Sequence, residues 1–263
     1  MTGFIHLSDL HIRRYQHADE NASLRFIVEH LLRRYEKTEK PIVLITGDVT
    51  DDGQESQYKN AVELLRPLKN NQFPLLIVPG NHDYGPAGNI YTNAALRRFE
   101  QIVLRDFLGY SVPEEGEFFP HVARFGSVVF IGVDSVVANE DAAFHFASGE
   151  IGAPQRRLLR EAFAQVSEND TAVTYFHHHP FNRKRVMQMD DADIVMKLLS
   201  GRTDFLCFGH DHVAEIWRDH MGIDCILASG KTTSQNRRGQ YSFSEIRIDG
   251  KDQHSVSTVS IKR

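Results

Sequence analysis

Four short apolar runs, each about the length of one β-strand, constrain the fold of this 263-residue chain more than any other feature. They are Ile42 to Thr46 (IVLIT), Leu75 to Val78 (LLIV), Thr171 to Phe176 (TAVTYF) and Asp204 to Phe208 (DFLCF). A continuous apolar run of this length is typical of a strand with both faces covered by other elements. Such strands occur in α/β proteins, in which helices connect parallel strands and pack on the sheet.

Helical patterns lie between these runs in the first half of the chain. After a short first strand at Phe4 to Leu7, apolar residues recur with the spacing of one helix face up to Tyr35, and we expect Asn21 to be the N-cap of this helix. A second helix is expected around Tyr58 to Leu65. The alternation of strand and helix predicts a parallel α/β layer.

The second half adds antiparallel strands to this pattern. We expect a hairpin with its turn near Gly126, a helix that begins near Pro154 and a further helix at Ile194 to Leu199. Three β runs follow, at Ile223 to Leu227, Tyr241 to Ile248 and Val256 to Ile261, and we expect the last of them to complete a sheet within the monomer. The whole pattern predicts an α/β protein with two mixed sheets packed face to face and helices outside. Because no repeat or linker-like tract interrupts the sequence, we expect a single domain over residues 1–263.

Charge and composition disfavour several classes of partner. The sequence has 41% hydrophobic and 25% charged residues, as is typical of a folded globular protein. Its formal net charge of −5 argues against a dedicated binder of long nucleic acid or of anionic membranes. No run approaches the ~18 apolar residues of a membrane span, and the N-terminus has no signal-peptide pattern, so we expect a cytoplasmic enzyme. The two cysteines, Cys207 and Cys225, lie in apolar runs and are expected to be buried and reduced.

Side chains that can bind metal ions follow each predicted strand. They are Asp9 and His11 in SDLH, Asp48 in GDVTDDG, Asn81, His82 and Asp83 in PGNHDYG, His177, His178 and His179 in FHHHPF, and His210 and His212 in GHDH. The carboxyl ends of the strands in an open α/β sheet meet at one crevice, where ligands bind. We therefore expect these five segments to form one site.

The donor types indicate which ions such a site would hold. Carboxylate oxygens, imidazoles and an amide oxygen without thiolates suit manganese, iron, cobalt or zinc. Seven candidate ligands are too many for one tetrahedral ion but suit two ions that share a carboxylate. Two ions ~3.5–4 Å apart are a known arrangement for in-line displacement at phosphorus. Alternation along an extended chain puts His177 and His179 on one side and His178 on the other. It does not show which of the three histidines would bind a metal ion.

The ordered motifs Asp-x-His, Gly-Asp, Gly-Asn-His-Asp, His-x-Pro and Gly-His-x-His, from Asp9 to His212, resemble the calcineurin-like metallophosphoesterase superfamily. The resemblance implies a four-layer αββα sandwich and two metal ions. It also implies that one ion is held by Asp9, His11, Asp48 and His212, and the second by Asp48, Asn81, His178 and His210. In this family the ligand precedes the proline by two residues, here His178 before Pro180. The resemblance implies that His177 and His179 point away from the ions, with one of them available to support the site.

The same resemblance implies the catalytic residues. His82, directly after the ligand Asn81, matches the family's non-ligand catalytic histidine, which stabilises charge on the phosphoryl group or protonates the leaving oxygen. We expect Asp83 to orient His82, as carboxylates commonly do for imidazoles. The hypothesis for the reaction is hydrolysis by a metal-bridging hydroxide that attacks phosphorus in line.

Two further segments resemble those of small phosphodiesterases and favour that activity. Ala147 to Leu159 (ASGEIGAPQRRLL) is similar to a segment of small bacterial phosphodiesterases, a group that includes class III cyclic-nucleotide and glycerophosphodiester enzymes. The basic stretch Arg183 to Arg185 after the histidines also resembles that group, whereas Phe181 stands where the group often has a second proline. We expect a small phosphate ester as the substrate.

Several alternatives stay open on the sequence. A phosphomonoesterase would use the same metal ions, and a nuclease of the superfamily is disfavoured by the acidic charge. A UDP-diacylglucosamine pyrophosphatase would carry a helical lid, for which no insertion is evident. A non-catalytic metal-binding scaffold is disfavoured because His82 and all seven candidate ligands are present. The sequence does not identify the oligomeric state.

Overall fold

Two mixed β-sheets form the centre of the protein in a computed structural model that describes residues 2–88, 90–114, 118–136, 148–182, 187–251 and 253–263. The strands are β1 (Thr2–Leu7), β2 (Ile42–Thr46), β3 (Leu75–Val78), β4 (His121–Phe125), β5 (Val128–Gly132), β6 (Thr171–Tyr175), β7 (Phe205–Phe208), β8 (Glu215–His220), β9 (Ile223–Ala228), β10 (Gln240–Gly250) and β11 (Gln253–Lys262). One sheet has the order β11-β10-β1-β2-β3 and the other β4-β5-β6-β7-β9-β8.

Parallel strands occupy the middle of both sheets, and antiparallel strands flank them. In the first sheet, β1, β2 and β3 are parallel, and β10 joins β1 in the antiparallel direction with β11 as its hairpin partner. In the second, β5, β6, β7 and β9 are parallel, whereas β4 and β8 are antiparallel edge strands. The last β runs of the chain therefore complete a sheet within the monomer, as predicted.

Helices cover the outer faces of the two sheets. They are α1 (Asp19–Arg34), α2 (Glu55–Asn70), α3 (Asn93–Arg98), which continues as a π-helix at Phe99–Leu108, α4 (Gly152–Phe163) and α5 (Ala192–Leu199). Short 3₁₀ turns span Asn81–Tyr84 and Pro86–Gly88. The prediction that Asn21 caps α1 is wrong. The helix begins two residues earlier, and the Asn21 side chain bonds instead to the backbone N–H and carbonyl of Arg13.

Aromatic residues join the two sheets across the interior. The buried ring of Phe4 on β1 lies 5.5 Å from that of Phe130 on β5 and 6.2 Å from that of Phe205 on β7, at nearly perpendicular angles. Apolar residues of α1 and α2 belong to this same core, and those of α4 and α5 pack with the outer face of the second sheet. This arrangement confirms the predicted α/β fold with two sheets face to face and helices outside.

The cysteines and the helices agree with two further expectations. Cys207 on β7 and Cys225 on β9 are both buried free thiols. Within the described parts of the chain, every helix is too short or too polar to cross a membrane. The cytoplasmic location stays a prediction.

Candidate metal centre

The backbone at the strand ends adopts an uncommon conformation at the predicted metal ligands. Five of the eight described non-glycine residues with positive φ are predicted ligands, with φ between 47° and 77°. They are Asp9, His11, Asp48, His210 and His212. Few residues other than glycine adopt this left-handed region, although Asp and His tolerate it better than most. Strained backbone that the surrounding fold maintains is characteristic of functional sites.

Four of the predicted ligands form one group, in which Asp9, His11 and Asp48 are buried and the side chain of His212 is 43% exposed. The Nε2 atom of His11 lies 3.0 Å from Nε2 of His212 and 3.6 Å from Oδ2 of Asp48. The Nε2 atom of His212 lies 3.3 Å from Oδ1 of Asp9. These side chains come from the loops after β1, β2 and β7, so the fold brings distant segments together as predicted.

A second group surrounds Nε2 of His177. This atom lies 3.0 Å from Oδ1 of Asn81, 3.3 Å from Oδ2 of Asp48 and 3.2 Å from Nδ1 of His210. Oδ2 of Asp48 therefore faces both groups. With bonds of about 2.1 Å, adjacent ligands of one metal ion lie roughly 3 Å apart. The spacing in both groups fits that separation.

Hydrogen bonds on the far side of each ring show which atoms carry protons in the second group. Nδ1 of His177 lies 2.7 Å from the carbonyl oxygen of Thr46, which only accepts, so Nδ1 carries a proton and Nε2 is the atom at which a metal ion could replace a proton. The amide nitrogen of Asn81 donates to the Gly88 carbonyl at 3.0 Å, which turns its oxygen inward. The oxygens of Asn81 and Asp48 thus both face Nε2 of His177. A shared cation would satisfy all of them, and the donor set fits a metal ion.

In the first group, Asp51 orients the ring of His11 as the Thr46 carbonyl orients that of His177 in the second. Its Oδ1 lies 3.4 Å from Nδ1 of His11, which places the proton on Nδ1 and leaves the Nε2 lone pair directed at Asp48 and His212. This role of Asp51 was not predicted from the sequence. The only available signal was its place in GDVTDDG, three residues after Asp48.

The charges at the centre also favour a cation. Burial raises the pKa of Asp48, but the imidazoles of His177 and His11 outweigh burial and hold that pKa well below its usual value. Burial lowers the pKa of His177, but the carboxylates of Asp48 and Asp9 outweigh burial and raise that pKa to about 9. Carboxylates that attract a proton this strongly would also attract a metal ion.

His178, the predicted ligand, contacts Ser135 through one side of its ring. The Ser135 hydroxyl oxygen lies 2.8 Å from Nδ1 of His178 and accepts from the backbone N–H groups of His177 (3.2 Å) and His178 (3.1 Å). On the other side of the ring, Nε2 of His178 is buried without a hydrogen-bond partner among the described residues, as is Nε2 of His210. One nitrogen each of His177, His178 and His210 lie within 4.8 Å of one another, close enough to hold one metal ion.

The structure therefore brings both His177 and His178 to the centre, and the expectation that His177 points away from it is wrong. His177 precedes Pro180 by three residues rather than two, because the triplet contains one more histidine than the motif requires. His179 does point away, as expected. Its ring packs against those of Phe208 at 4.6 Å and Phe181 at 4.8 Å.

His82 lies at the rim of the centre. Its backbone N–H donates to Oδ1 of Asp48 at 3.0 Å, and its ring centroid lies 4.6 Å from that of His11. Nδ1 of His82 donates to the backbone carbonyl of Asp51 at 2.8 Å. The half-buried ring therefore directs Nε2 away from Asp51, which leaves that atom to exchange a proton with a substrate.

The prediction that Asp83 orients His82 is wrong, because the Asp83 carboxylate is used elsewhere. Its two oxygens accept from the backbone N–H groups of Val49, Thr50 and Gly80, at 2.9 to 3.0 Å, and from the Thr50 hydroxyl at 3.0 Å. Asp83 thus ties the loop after β3 to the loop after β2. It positions the backbone of Asp48 and Asn81, whereas the carbonyl of Asp51 orients the His82 ring.

Two glycines allow the strand ends to approach this closely. Gly47 has a φ of 90°, and a Cβ atom there would lie 2.5 Å from Nδ1 of His177. A Cβ atom on Gly80 would lie 2.3 Å from Oδ1 of Asp48. Any larger residue at either position would displace a side chain of the centre.

Part of the segment that resembles small phosphodiesterases supports the loop of Ser135. The Gln155 side chain on α4 accepts from the backbone N–H of Asp134 at 3.1 Å and donates to its carbonyl at 2.9 Å. Gln155 therefore fixes the residue next to Ser135. The basic stretch Arg183 to Arg185 lies outside the described residues.

Known proteins resemble this chain in sequence and in fold. The family model of calcineurin-like phosphoesterases matches residues 3–214. A probable cyclic nucleotide phosphodiesterase of Xenorhabdus bovienii is 22% identical over 232 residues, which cover 84% of this chain and 83% of that protein. A probable glycerophosphodiester phosphodiesterase GpdQ of Arcobacter nitrofigilis is 26% identical over 191 residues, which cover 71% of this chain and 60% of that protein. The crystal structure of a dimetal phosphatase from Danio rerio shares the fold, with a TM-score of 0.66 at 14% identity over 99% of this chain and 98% of that one.

Proposed function

The chain belongs to the calcineurin-like phosphoesterase family, and from this premise we propose that it is a phosphodiesterase that holds two metal ions and hydrolyses a small phosphodiester. Membership of this family makes the protein a metal-dependent phosphoester hydrolase. The observation that carries the dinuclear proposal is the pair of acceptor groups that share the Asp48 carboxylate. The names of the relatives, a cyclic nucleotide phosphodiesterase and a glycerophosphodiester phosphodiesterase, support a diester as the substrate.

The proposed ligands follow the contacts of each imidazole. One ion would be held by Asp9, His11, Asp48 and His212, and the other by Asp48, Asn81, His177 and His210. The absence of thiolates in this set supports manganese, iron, cobalt or zinc. We also propose that residues 1–263 form one domain around this centre.

The metal ions would lower the pKa of a bound water and offset the negative charge of the phosphoryl oxygens. The chain's own residues would then position the reaction. His82 would give a proton from Nε2 to the leaving oxygen, because its Nδ1 is held by the Asp51 carbonyl. Asp51 and Thr46 would hold the rings of His11 and His177 in the tautomers that present a lone pair to the ions.

A panel of phosphate esters tests the activity on protein reconstituted with manganese or zinc. We expect hydrolysis of bis(p-nitrophenyl) phosphate, 3′,5′-cyclic AMP or a glycerophosphodiester to exceed that of p-nitrophenyl phosphate, and to cease after chelation. Faster hydrolysis of the monoester would replace the proposal with a phosphomonoesterase. Digestion of single-stranded DNA would favour a nuclease. Metal-loaded protein that is inert toward every ester would favour a scaffold.

A pair of alanine variants tests which histidine of the triplet binds metal. We expect His177→Ala to retain one ion per chain instead of two, because the second ion would lose one of its four proposed ligands. We expect His178→Ala to retain two ions, because its ring faces Ser135. Metal analysis of the purified variants measures both. Loss of an ion from His178→Ala with two ions in His177→Ala would restore His178 as the ligand.

A further inference from the structure

A buried polar network lies beside the second group of donor atoms and connects the loops after β3, β5 and β6 with helix α4. Its side chains are those of Tyr84, Asp134, Ser135 and Gln155, which are 0% to 9% exposed. None of these four residues is a proposed ligand or takes part in the proposed chemistry. Because buried polar groups need fixed hydrogen-bond partners, the partners show what this network holds in place.

The hydroxyl of Tyr84 joins loops that belong to different sheets. It donates to Oδ2 of Asp134 at 2.7 Å. Tyr84 ends the 3₁₀ turn after β3, and the same turn carries the proposed ligand Asn81 and the proposed proton donor His82. Asp134 lies two residues after the end of β5, in the other sheet. This hydrogen bond therefore holds the turn of Asn81 and the loop after β5 together.

Ser135 follows Asp134 directly and contacts the histidines after β6. Its hydroxyl oxygen accepts from the backbone N–H groups of His177 and His178, and it lies 2.8 Å from Nδ1 of His178. The positions of both histidines therefore depend on where Ser135 lies. A displacement of Asp134 would move Ser135 and, with it, both rings.

Asp134 is held in one orientation by two further contacts. The Gln155 side chain on α4 bonds to the backbone N–H and carbonyl of Asp134, at 3.1 and 2.9 Å. Oδ1 of Asp134 accepts from the backbone N–H of Val136 at 2.7 Å. With its backbone and Oδ1 both bonded, Asp134 presents Oδ2 to Tyr84 in a fixed direction.

The segment just before α4 packs against the other side of the same loop. The backbone N–H of Glu150 donates to the Ser135 carbonyl at 2.9 Å. A Cβ atom on Gly149 would lie 2.3 Å from Cγ of His178, so a larger residue there would displace the ring. Both residues belong to the stretch Ala147 to Leu159, which resembles small phosphodiesterases. These contacts give that stretch a structural role at the centre.

We propose that Tyr84, Asp134 and Gln155 are positioning residues of the second metal ion, an inference that rests on the proposed dinuclear centre. The ligands Asp48 and Asn81 reach this ion from loops of the first sheet, and the histidines reach it from loops of the second sheet. The bond between Tyr84 and Asp134 sets the separation of these two halves, and Gln155 keeps Asp134 in place. Ligands about 3 Å apart tolerate little displacement.

Tyr84→Phe tests this inference, because it removes only the hydroxyl and leaves the ring and the charges around the ions unchanged. In a titration of the metal-free protein with manganese, we expect the affinity for one of the two ions to fall about three- to tenfold. This loss is smaller than the 10–100-fold typical of groups that contact a ligand directly. The other ion should bind with the affinity that it has in the parent protein.

Tyr110→Phe is the matched control. Its hydroxyl donates to the Leu75 carbonyl at 3.3 Å, at the end of β3 that lies away from Asn81, so both ions should bind as in the parent protein. Thermal unfolding of the metal-free variants verifies that each is folded at the temperature of the titration.

A second pair of variants tests whether Tyr84 acts through Asp134. In the Asp134→Ala background, Tyr84→Phe should change the affinity for the ion by less than about twofold, because its partner is already absent. A further three- to tenfold loss in that background would overturn the assignment.

The titration also separates this inference from the proposed function. Equal affinities for both ions in the parent protein and Tyr84→Phe would overturn the inference alone, and so would an equal loss for both ions. A parent protein that binds a single ion would refute the dinuclear proposal and this inference with it. A protein that shows the expected affinities but hydrolyses no diester would refute the proposed activity and leave the positioning residues in place.

Discussion

His82→Ala should lower kcat for a phosphodiester by about 10²–10⁴-fold while the protein keeps two metal ions per chain. The expected loss follows from the position of His82, which contacts Asp48 through its backbone and the Asp51 carbonyl through Nδ1 but has Nε2 available for substrate. Steady-state kinetics together with metal analysis measure both quantities. The effect should be smaller for substrates whose leaving group needs no proton, such as p-nitrophenolate, because the missing proton donor then matters less.

The stability of the variant is the control for this experiment. The ring of His82 is only partly buried, so its loss should change the free energy of unfolding by no more than about 1 kcal/mol. Unchanged kcat would remove His82 from the mechanism. Loss of an ion together with activity would make His82 a ligand or a structural residue.

Asp48→Asn should reduce metal content from two ions to at most one and reduce kcat/KM by more than His177→Ala does. Oδ2 of Asp48 faces both groups of donor atoms, at 3.6 Å from His11 and 3.3 Å from His177, so the substitution removes the shared negative charge. Even partners outside the ligand set typically account for 10–100-fold in metal affinity, and a shared ligand should exceed that. Asparagine tolerates the φ of 50° at this position, which keeps the backbone close to its original conformation.

Asp51→Asn is the matched control, since it makes the same chemical change three residues later. The Asp51 carboxylate contacts Arg13 and the far side of the His11 ring, so this variant should keep both ions with affinity about 10–100-fold weaker. Metal titration of both variants makes the comparison. Two tightly bound ions in Asp48→Asn would contradict the proposal of a shared ligand.

Strands with both faces buried could be predicted almost to the residue. β2 and β3 begin and end where the apolar runs IVLIT and LLIV do, because each residue of these strands is buried. β8 was not predicted, because it is an edge strand with largely exposed side chains and therefore has no hydrophobic period. Asn21 was misassigned as a cap because its bonds to Arg13 depend on how the chain folds back before α1.

The candidate centre, like the fold, could be predicted from the sequence only in part. The order of the strands and of the polar segments after them was sufficient to predict which loops meet, since the carboxyl ends of parallel strands lie at one edge of a sheet. The sequence by itself therefore determined the fold class, the donor types and the strand ends that bring together Asp9, His11, Asp48, Asn81, His210 and His212. Whether these six residues bind metal stays a prediction.

The tertiary structure decided which of several neighbouring polar residues faces the centre. His177 is directed there by the carbonyl of Thr46, 131 positions earlier in the chain, and His178 is held by Ser135, 43 positions earlier. Asp51 rather than Asp83 orients His82, because backbone N–H groups of two other loops occupy the Asp83 carboxylate. Adjacent histidines or aspartates are chemically equivalent in a sequence. Only their hydrogen-bond partners, which the fold supplies from distant segments, determine where each lone pair points.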